Sequence, residues 1–226
     1  MSAGAALLLD LDGTLLDTAP DMGAALNRLR EESGLPQLPY ERIRPVVSHG
    51  AARLVQLGFP DVEGERFETL RLRFLELYAQ GLAVGTRLFP GFESLFDELA
   101  ARRLPWGIVT NKPAWLTDPL VAAMGLHERA GCVVSGDTVA ERKPHPLPLL
   151  HAAALIGADP RRCVYVGDAE RDIQAGRGAG MTTIVAAYGY IGEDEDPQAW
   201  QAAAIVHSPT ELRDWLPTTI RAGAGT

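Results

Sequence analysis

Cysteine is scarce in this chain: 226 residues contain two, Cys132 and Cys163. Both lie in apolar runs that read as strands. Two such residues make neither a disulfide framework nor a zinc site, and they read as buried free thiols. Surplus positive charge is also absent. The formal net charge is −8, which argues against a general binder of nucleic acid or anionic membranes. A small anionic substrate stays open, because a metal ion and a few placed cations reverse the field locally. Long hydrophobic runs are missing too. The apolar run 4–9 is too short for a secretory h-region and is closed by Asp10. No other run approaches the length that spans a bilayer. The expectation is a cytoplasmic protein, monomer or homodimer, with no nucleic-acid or membrane partner.

What is there suffices for a real core. Hydrophobic residues make up 46% and charged residues 22%, ordinary for a folded domain with a smaller insert. Residues 5–9 form a continuous apolar run, the pattern of a strand buried on both faces. Helical spacing follows: Met22, Ala25, Leu26 and Leu29, then a short helix over 51–57, then Phe67, Leu70, Phe74 and Leu77 within 63–78. Thr18 and Asp21 resemble a capping box at the first of these helices. The stretch 17–86 carries no strong strand signal.

After Pro90-Gly91 the pattern alternates. Helices over 92–103, 114–124, 147–156 and 173–177 precede strands over 106–110, 132–134, 163–166 and 182–186. An edge strand at Ile205-Val206 and a helix opened by Ser208-Pro209-Thr210-Glu211 close the chain. Such alternation predicts an α/β fold: a Rossmann-like, doubly wound parallel sheet with helices on both faces. The core is expected over 1–16 and 87–226, with an all-helical cap over 17–86.

Chemistry gathers at the expected strand ends. Asp10-Leu11-Asp12-Gly13-Thr14 leaves the first strand. Carboxylates two apart on an extended segment point the same way, and Gly13 permits a sharp turn. Asp168 and Asp172 follow the strand 163–166, and carboxylates on neighbouring strand tips suit Mg²⁺. Thr110-Asn111-Lys112 lies at the end of the strand that starts at Trp106, where a hydroxyl and main-chain N–H groups make a phosphate cradle; Thr-Asn is also common turn chemistry. Lys143 falls in a loop between two core strands, from which its ammonium could neutralise both a phosphate and Asp10.

These four elements together resemble the haloacid dehalogenase-like hydrolase superfamily. DLDGTLLDT looks like its first motif, VTN its second, the lysine of KPHP its third and GDAERDIQAGRGAGM its fourth. The resemblance implies an Mg²⁺-dependent phosphatase acting on a small phosphorylated metabolite. It implies that Asp10 attacks phosphorus and forms an aspartyl-phosphate. Asp12 then serves as general acid and base. Asp10, the Asp12 main-chain carbonyl and Asp168 would bind Mg²⁺, and Thr110, Lys143 and the turn N–H groups would hold the phosphoryl oxygens. Asp172 would support Lys143 or a water on the metal.

The acid at position 12 disfavours the dehalogenases of the superfamily. The absence of lysine from 17–86 removes the imine chemistry of its phosphonate hydrolases. A β-phosphoglucomutase-type phosphomutase shares the motifs and stays open. The chain looks like the phosphoglycolate phosphatase branch, and its tail resembles a subgroup acting on N-acetylmuramic acid 6-phosphate. Within the expected cap, Ser48, His49, Gly50 and Arg53 occupy the place of a substrate loop. Gly50 would permit close backbone approach, and Arg53 could pair with a second anionic group such as a carboxylate.

Overall fold

The computed structural model describes residues 4–219. The outermost parts of the expected core span, 1–3 and 220–226, lie outside them. A six-stranded parallel sheet forms the centre. Its strands are β1 (Leu7–Leu9), β4 (Trp106–Val109), β5 (Val133–Val134), β6 (Val164–Gly167), β7 (Thr182–Ala186) and β8 (Ala204–Val206), in the order β5-β4-β1-β6-β7-β8. β1 is central because both of its faces are apolar. Leu7 and Leu9 join one hydrophobic cluster, while Leu8 joins another with Val109 and Tyr165. All three leucines are fully buried, as the two-residue period of a strand between two helix layers requires.

The strand order reverses at β1. Chain connections run one way from it to β4 and β5 and the other way to β6, β7 and β8. Open α/β sheets bind ligands at such a switch point, outside the carboxyl ends of the strands. Asp10, Thr110 and Asp168 each follow directly on β1, β4 and β6.

Between β1 and β4 the chain leaves the sheet. A two-stranded antiparallel ribbon, β2 (Leu16–Asp17) with β3 (Arg87–Leu88), pairs Leu16 with Leu88 and Asp17 with Arg87. The ribbon brackets helices α1 (Ala19–Glu32), α2 (Tyr40–Ile43), α3 (Gly50–Gly58) and α4 (Gly64–Gln80). Its strands are too short for a two-residue period to show in the sequence. The expected capping box is not formed. Thr18 makes no side-chain cap bond to α1; its hydroxyl donates to Asp12 Oδ1 at 2.7 Å instead. Asp21 accepts from the Gly85 and Thr86 N–H groups and the Thr86 hydroxyl. It thereby ties the start of α1 to the segment before β3.

Beyond the ribbon, α5 (Phe92–Ala101), α6 (Ala114–Ala123), α7 (Leu147–Ile156), α8 (Glu170–Gly178) and α9 (Pro209–Thr219) complete the layers. α7 and β7 have the expected bounds; α8 begins three residues earlier than its apolar pattern, because its first turn carries the polar residues of the site. Among the described residues no helix is long and apolar enough to cross a membrane.

Candidate active site

Asp10 and Lys143 form the centre of the site. The Lys143 ammonium lies 2.7 Å from Asp10 Oδ1 and 2.7 Å from Asp172 Oδ1. It also donates to the Val109 carbonyl at 2.9 Å and the Tyr165 hydroxyl at 2.8 Å. Asn111 fixes the loop that carries it: its side-chain amide donates to the Lys143 carbonyl and accepts from the Lys143 N–H. Asn111, expected to contact substrate, thus commits its side chain to holding Lys143. Its main-chain N–H remains the part suited to a phosphate. Thr110 is buried beside it and accepts from the Lys112 N–H.

Three carboxylates converge from two strand ends. Oxygens of Asp10, Asp168 and Asp172 all lie within 4.8 Å of one another. Burial, partly offset by Lys143 and reinforced by Asp172, pushes Asp10 up to about 6. Burial first, then the charges of Asp10 and Asp172, pushes Asp168 up to about 7. Asp172 has both oxygens engaged. Oδ1 faces Lys143 and accepts from the Tyr165 hydroxyl, and Oδ2 accepts from the Ala169 N–H. Asp168 differs. Its Oδ2 accepts from Ser48 Oγ at 2.5 Å and from the Tyr190 N–H at 2.8 Å, while its buried Oδ1 has no hydrogen-bond partner among the described residues. A buried carboxylate oxygen without a donor, beside two more carboxylates, fits a hard divalent cation.

Gly13 lets the turn after Asp12 press against this group. It has a φ of 81°, and a Cβ there would overlap the Asp168 carboxylate and the Tyr190 ring. Asp12 lies on the outer side. Its Oδ1 accepts from Thr18 and meets the Lys112 ammonium at 2.8 Å. Lys112 also donates to the Tyr78 hydroxyl of α4 at 3.1 Å. Burial opposes its charge, but Asp12 and Tyr78 outweigh that and push it up to about 12.

The loop 48–53 divides. Ser48, expected to contact substrate, is buried on Asp168, and Arg171 of α8 donates to its carbonyl at 2.6 Å. His49 lies 3.8 Å from Glu195. Gly50 has a φ of 79°, and a Cβ there would meet open space. Its glycine character therefore serves the entry into α3 (Gly50–Gly58), not a close approach. Arg53 is exposed and bonded to Gln56. With His49 and Phe67 it lines an open cavity on the helical segment; it makes no contact with the carboxylates.

Lys112, Tyr78, Tyr165, Arg171 and Tyr190 did not emerge from the sequence as site residues. Lys112 stood in the Thr-Asn-Lys turn, but its partners are distant in the chain. One compositional signal was available. The chain has only two lysines, Lys112 and Lys143, and both are buried on the carboxylates of the first motif.

The sequence matches the family described as haloacid dehalogenase-like hydrolase over residues 7–186, and the chain belongs to that family. It is 45% identical over 212 residues to a phosphoglycolate phosphatase of Xanthomonas campestris pv. campestris strain 8004, covering 94% of this chain and 95% of that one. It is 43% identical over 216 residues to an N-acetylmuramic acid 6-phosphate phosphatase of Pseudomonas putida, covering 95% and 97%. A crystal structure of a predicted phosphoglycolate phosphatase from Haemophilus somnus 129pt superposes with a TM-score of 0.82 at 25% identity, covering 93% and 96%.

Proposed function

We propose that the protein is a phosphatase that hydrolyses a small phosphate monoester through an aspartyl-phosphate, with 2-phosphoglycolate as the first substrate to test. The observation that carries this reading is the placement of Asp10 at the tip of β1, with Lys143 2.7 Å away and Asp168 beside it. Asp10 is the nucleophile. Lys143 lowers the repulsion between its carboxylate and the phosphoryl group, and Asp172 holds that lysine in place. Asp12, on the outer side, gives a proton to the leaving alcohol. It then takes one from the water that releases phosphate from Asp10. Thr110 and the turn N–H groups receive the phosphoryl oxygens.

Asp10, Asp168 and the Asp12 main-chain carbonyl would hold Mg²⁺. When bound, the ion offsets the charge of the carboxylates and of the phosphate that approaches them. Residues 17–86 act as a cap over the core 1–16 and 87–226, and Ser48 is the point at which that cap meets Asp168.

The test is phosphate release with Mg²⁺ from a panel of monoesters that includes 2-phosphoglycolate, N-acetylmuramic acid 6-phosphate and β-glucose 1-phosphate. No release from any of them sinks the phosphatase reading. The second substrate is kept because a relative 43% identical over nearly its whole length bears that name. Accumulation of glucose 6-phosphate from the third would favour a phosphomutase.

A further inference from the structure

We propose that Tyr190 is a positioning residue that links the seating of the helical segment 17–86 to the cation site, so that Mg²⁺ affinity and cap closure rise and fall together. This rests on the reading above, in which Asp168 holds Mg²⁺ and 17–86 is a cap. Tyr190 lies beyond β7 and is 1% exposed. Its main-chain N–H donates to Asp168 Oδ2 at 2.8 Å. Its hydroxyl donates to Asp17 Oδ1 at 2.7 Å and accepts from the Ala19 N–H at 2.9 Å. One residue thus holds a carboxylate of the cluster with its backbone and the first crossing into the cap with its side chain.

The hydroxyl fills a gap at the start of α1. The first N–H groups of a helix have no intrahelical acceptor. Thr18, which precedes α1, makes no side-chain bond to it, and the proline at position 20 has no N–H. The Ala19 N–H takes its acceptor from a residue 171 positions away. An ionised carboxylate can only accept, so the same hydroxyl gives its proton to Asp17, in β2. Both bonds lie where the chain leaves the core.

The neighbouring residues brace this link. The Arg44 guanidinium lies over the Tyr190 ring, 5.0 Å from its centroid, and donates to the Tyr188 and Gly189 carbonyls at 3.1 and 3.0 Å. Phe89, just past β3 on the return crossing, meets the Tyr188 and Tyr190 rings at centroid distances of 5.1 and 6.3 Å. On the core side there is no slack. A Cβ on Gly189 would overlap Asp168 and the Gly13 carbonyl, and one on Gly13 would overlap the Tyr190 ring. A shift of the crossing therefore moves the Tyr190 N–H against Asp168. Ser48 supplies the other donor to Oδ2, directly from the helical segment. Both donors on Asp168 thus depend on where the cap sits, and a coupling of this kind is reciprocal.

The experiment uses ¹⁵N-labelled, metal-free protein. Amide shifts of residues 167–169 during a Mg²⁺ titration give the Kd, and the Ala19 amide reports the link through its hydrogen-exchange rate. Tyr190→Phe removes the hydroxyl and keeps the ring and the N–H. One hydrogen bond sets the expected size: the Mg²⁺ Kd rises by about two- to tenfold. In wild type, saturating Mg²⁺ slows Ala19 exchange by the same factor, as reciprocity requires. In Tyr190→Phe that amide exchanges fast with or without the ion. Asp17→Ala cuts the link from the other side and also raises the Kd. Combined with Tyr190→Phe, it gives less than the product of the two single effects.

Lower stability with an unchanged Kd in Tyr190→Phe would make the tyrosine a packing residue only, and would overturn the proposal while leaving the phosphatase reading intact. So would Ala19 exchange in wild type that ignores Mg²⁺, a measurement that depends on no variant. Wild-type protein whose 167–169 amides do not respond to Mg²⁺ overturns the metal reading, and this proposal with it.

Discussion

Ser48 Oγ donates to Asp168 Oδ2 at 2.5 Å, a contact between residues 120 positions apart. It joins the segment before α3 to a carboxylate at the tip of β6. The Tyr190 N–H donates to the same oxygen, and Oδ1 is left without a donor among the described residues. Ser48→Ala removes one of the two groups that hold this carboxylate. Groups that orient a metal ligand typically alter affinity about ten- to a hundredfold. The Mg²⁺ concentration for half-maximal activity should rise by about that much, with about 1 kcal/mol lost from metal-free stability. An unchanged Mg²⁺ activation curve would show that Ser48 does not set the carboxylate.

Asp10→Asn should abolish phosphate release while the protein stays folded. The amide is nearly isosteric, and Lys143 keeps Asp172 at 2.7 Å as its counter-charge. Loss of a nucleophile that no neighbour replaces should lower kcat by at least about 10³-fold. Thermal unfolding of the metal-free variant should match wild type or exceed it slightly, since Asp10 and Asp168 repel each other. Activity within about tenfold of wild type would remove Asp10 from the covalent role.

Much of this arrangement was legible in the sequence, and the exceptions share a cause. β1, β7 and α7 stood out because each is a continuous apolar or helical run with a clear stop, Asp10 after β1 and Gly157 after α7. Asp10, Lys143 and Asp168 followed from carboxylates and a lysine at or between strand ends. The ribbon of β2 and β3 could not be seen, since two residues per strand leave no period. Thr18 was misread as a cap because the competing acceptor, Asp12, lies six residues away and outside the helix. Lys112 meets Tyr78 across 34 positions, and no local pattern announces that meeting. The loop 48–53 was the hardest part: Ser48 and Arg53 are five residues apart, yet one is buried on Asp168 and the other is exposed.

The carboxylate cluster gives stability a defined pH dependence. Asp10 and Asp168 titrate at about 6 and about 7 in the folded metal-free protein, and at about 3.9 when unfolded. Between about pH 4 and 7 the folded state therefore holds protons that the unfolded chain has released. The contribution of these two groups falls as pH rises through that window. Mg²⁺ competes with the same protons. The Mg²⁺-induced rise in Tm should be small at about pH 5.5 and largest at about pH 8. A Tm shift that ignores pH would mean that the ion binds elsewhere.

Lys143→Met tests how far one ammonium carries the site. It leaves Asp10 and Asp172 without their shared cation, at side chains 4% and 0% exposed. Breaking such a buried pair destabilises by about 3–5 kcal/mol. The loss should be larger at about pH 8 than at about pH 5.5, because Asp10 can shed its charge by taking up a proton at the lower pH. Denaturant midpoints of metal-free wild type and variant at the two pH values read this out. Lys143→Arg should not restore wild-type stability. The Val109 carbonyl and the Tyr165 hydroxyl lie 2.9 and 2.8 Å from the ammonium, and a planar guanidinium needs room that these groups occupy. An equal loss at both pH values would mean that packing of the lysine stem, and not its charge, holds this part of the fold.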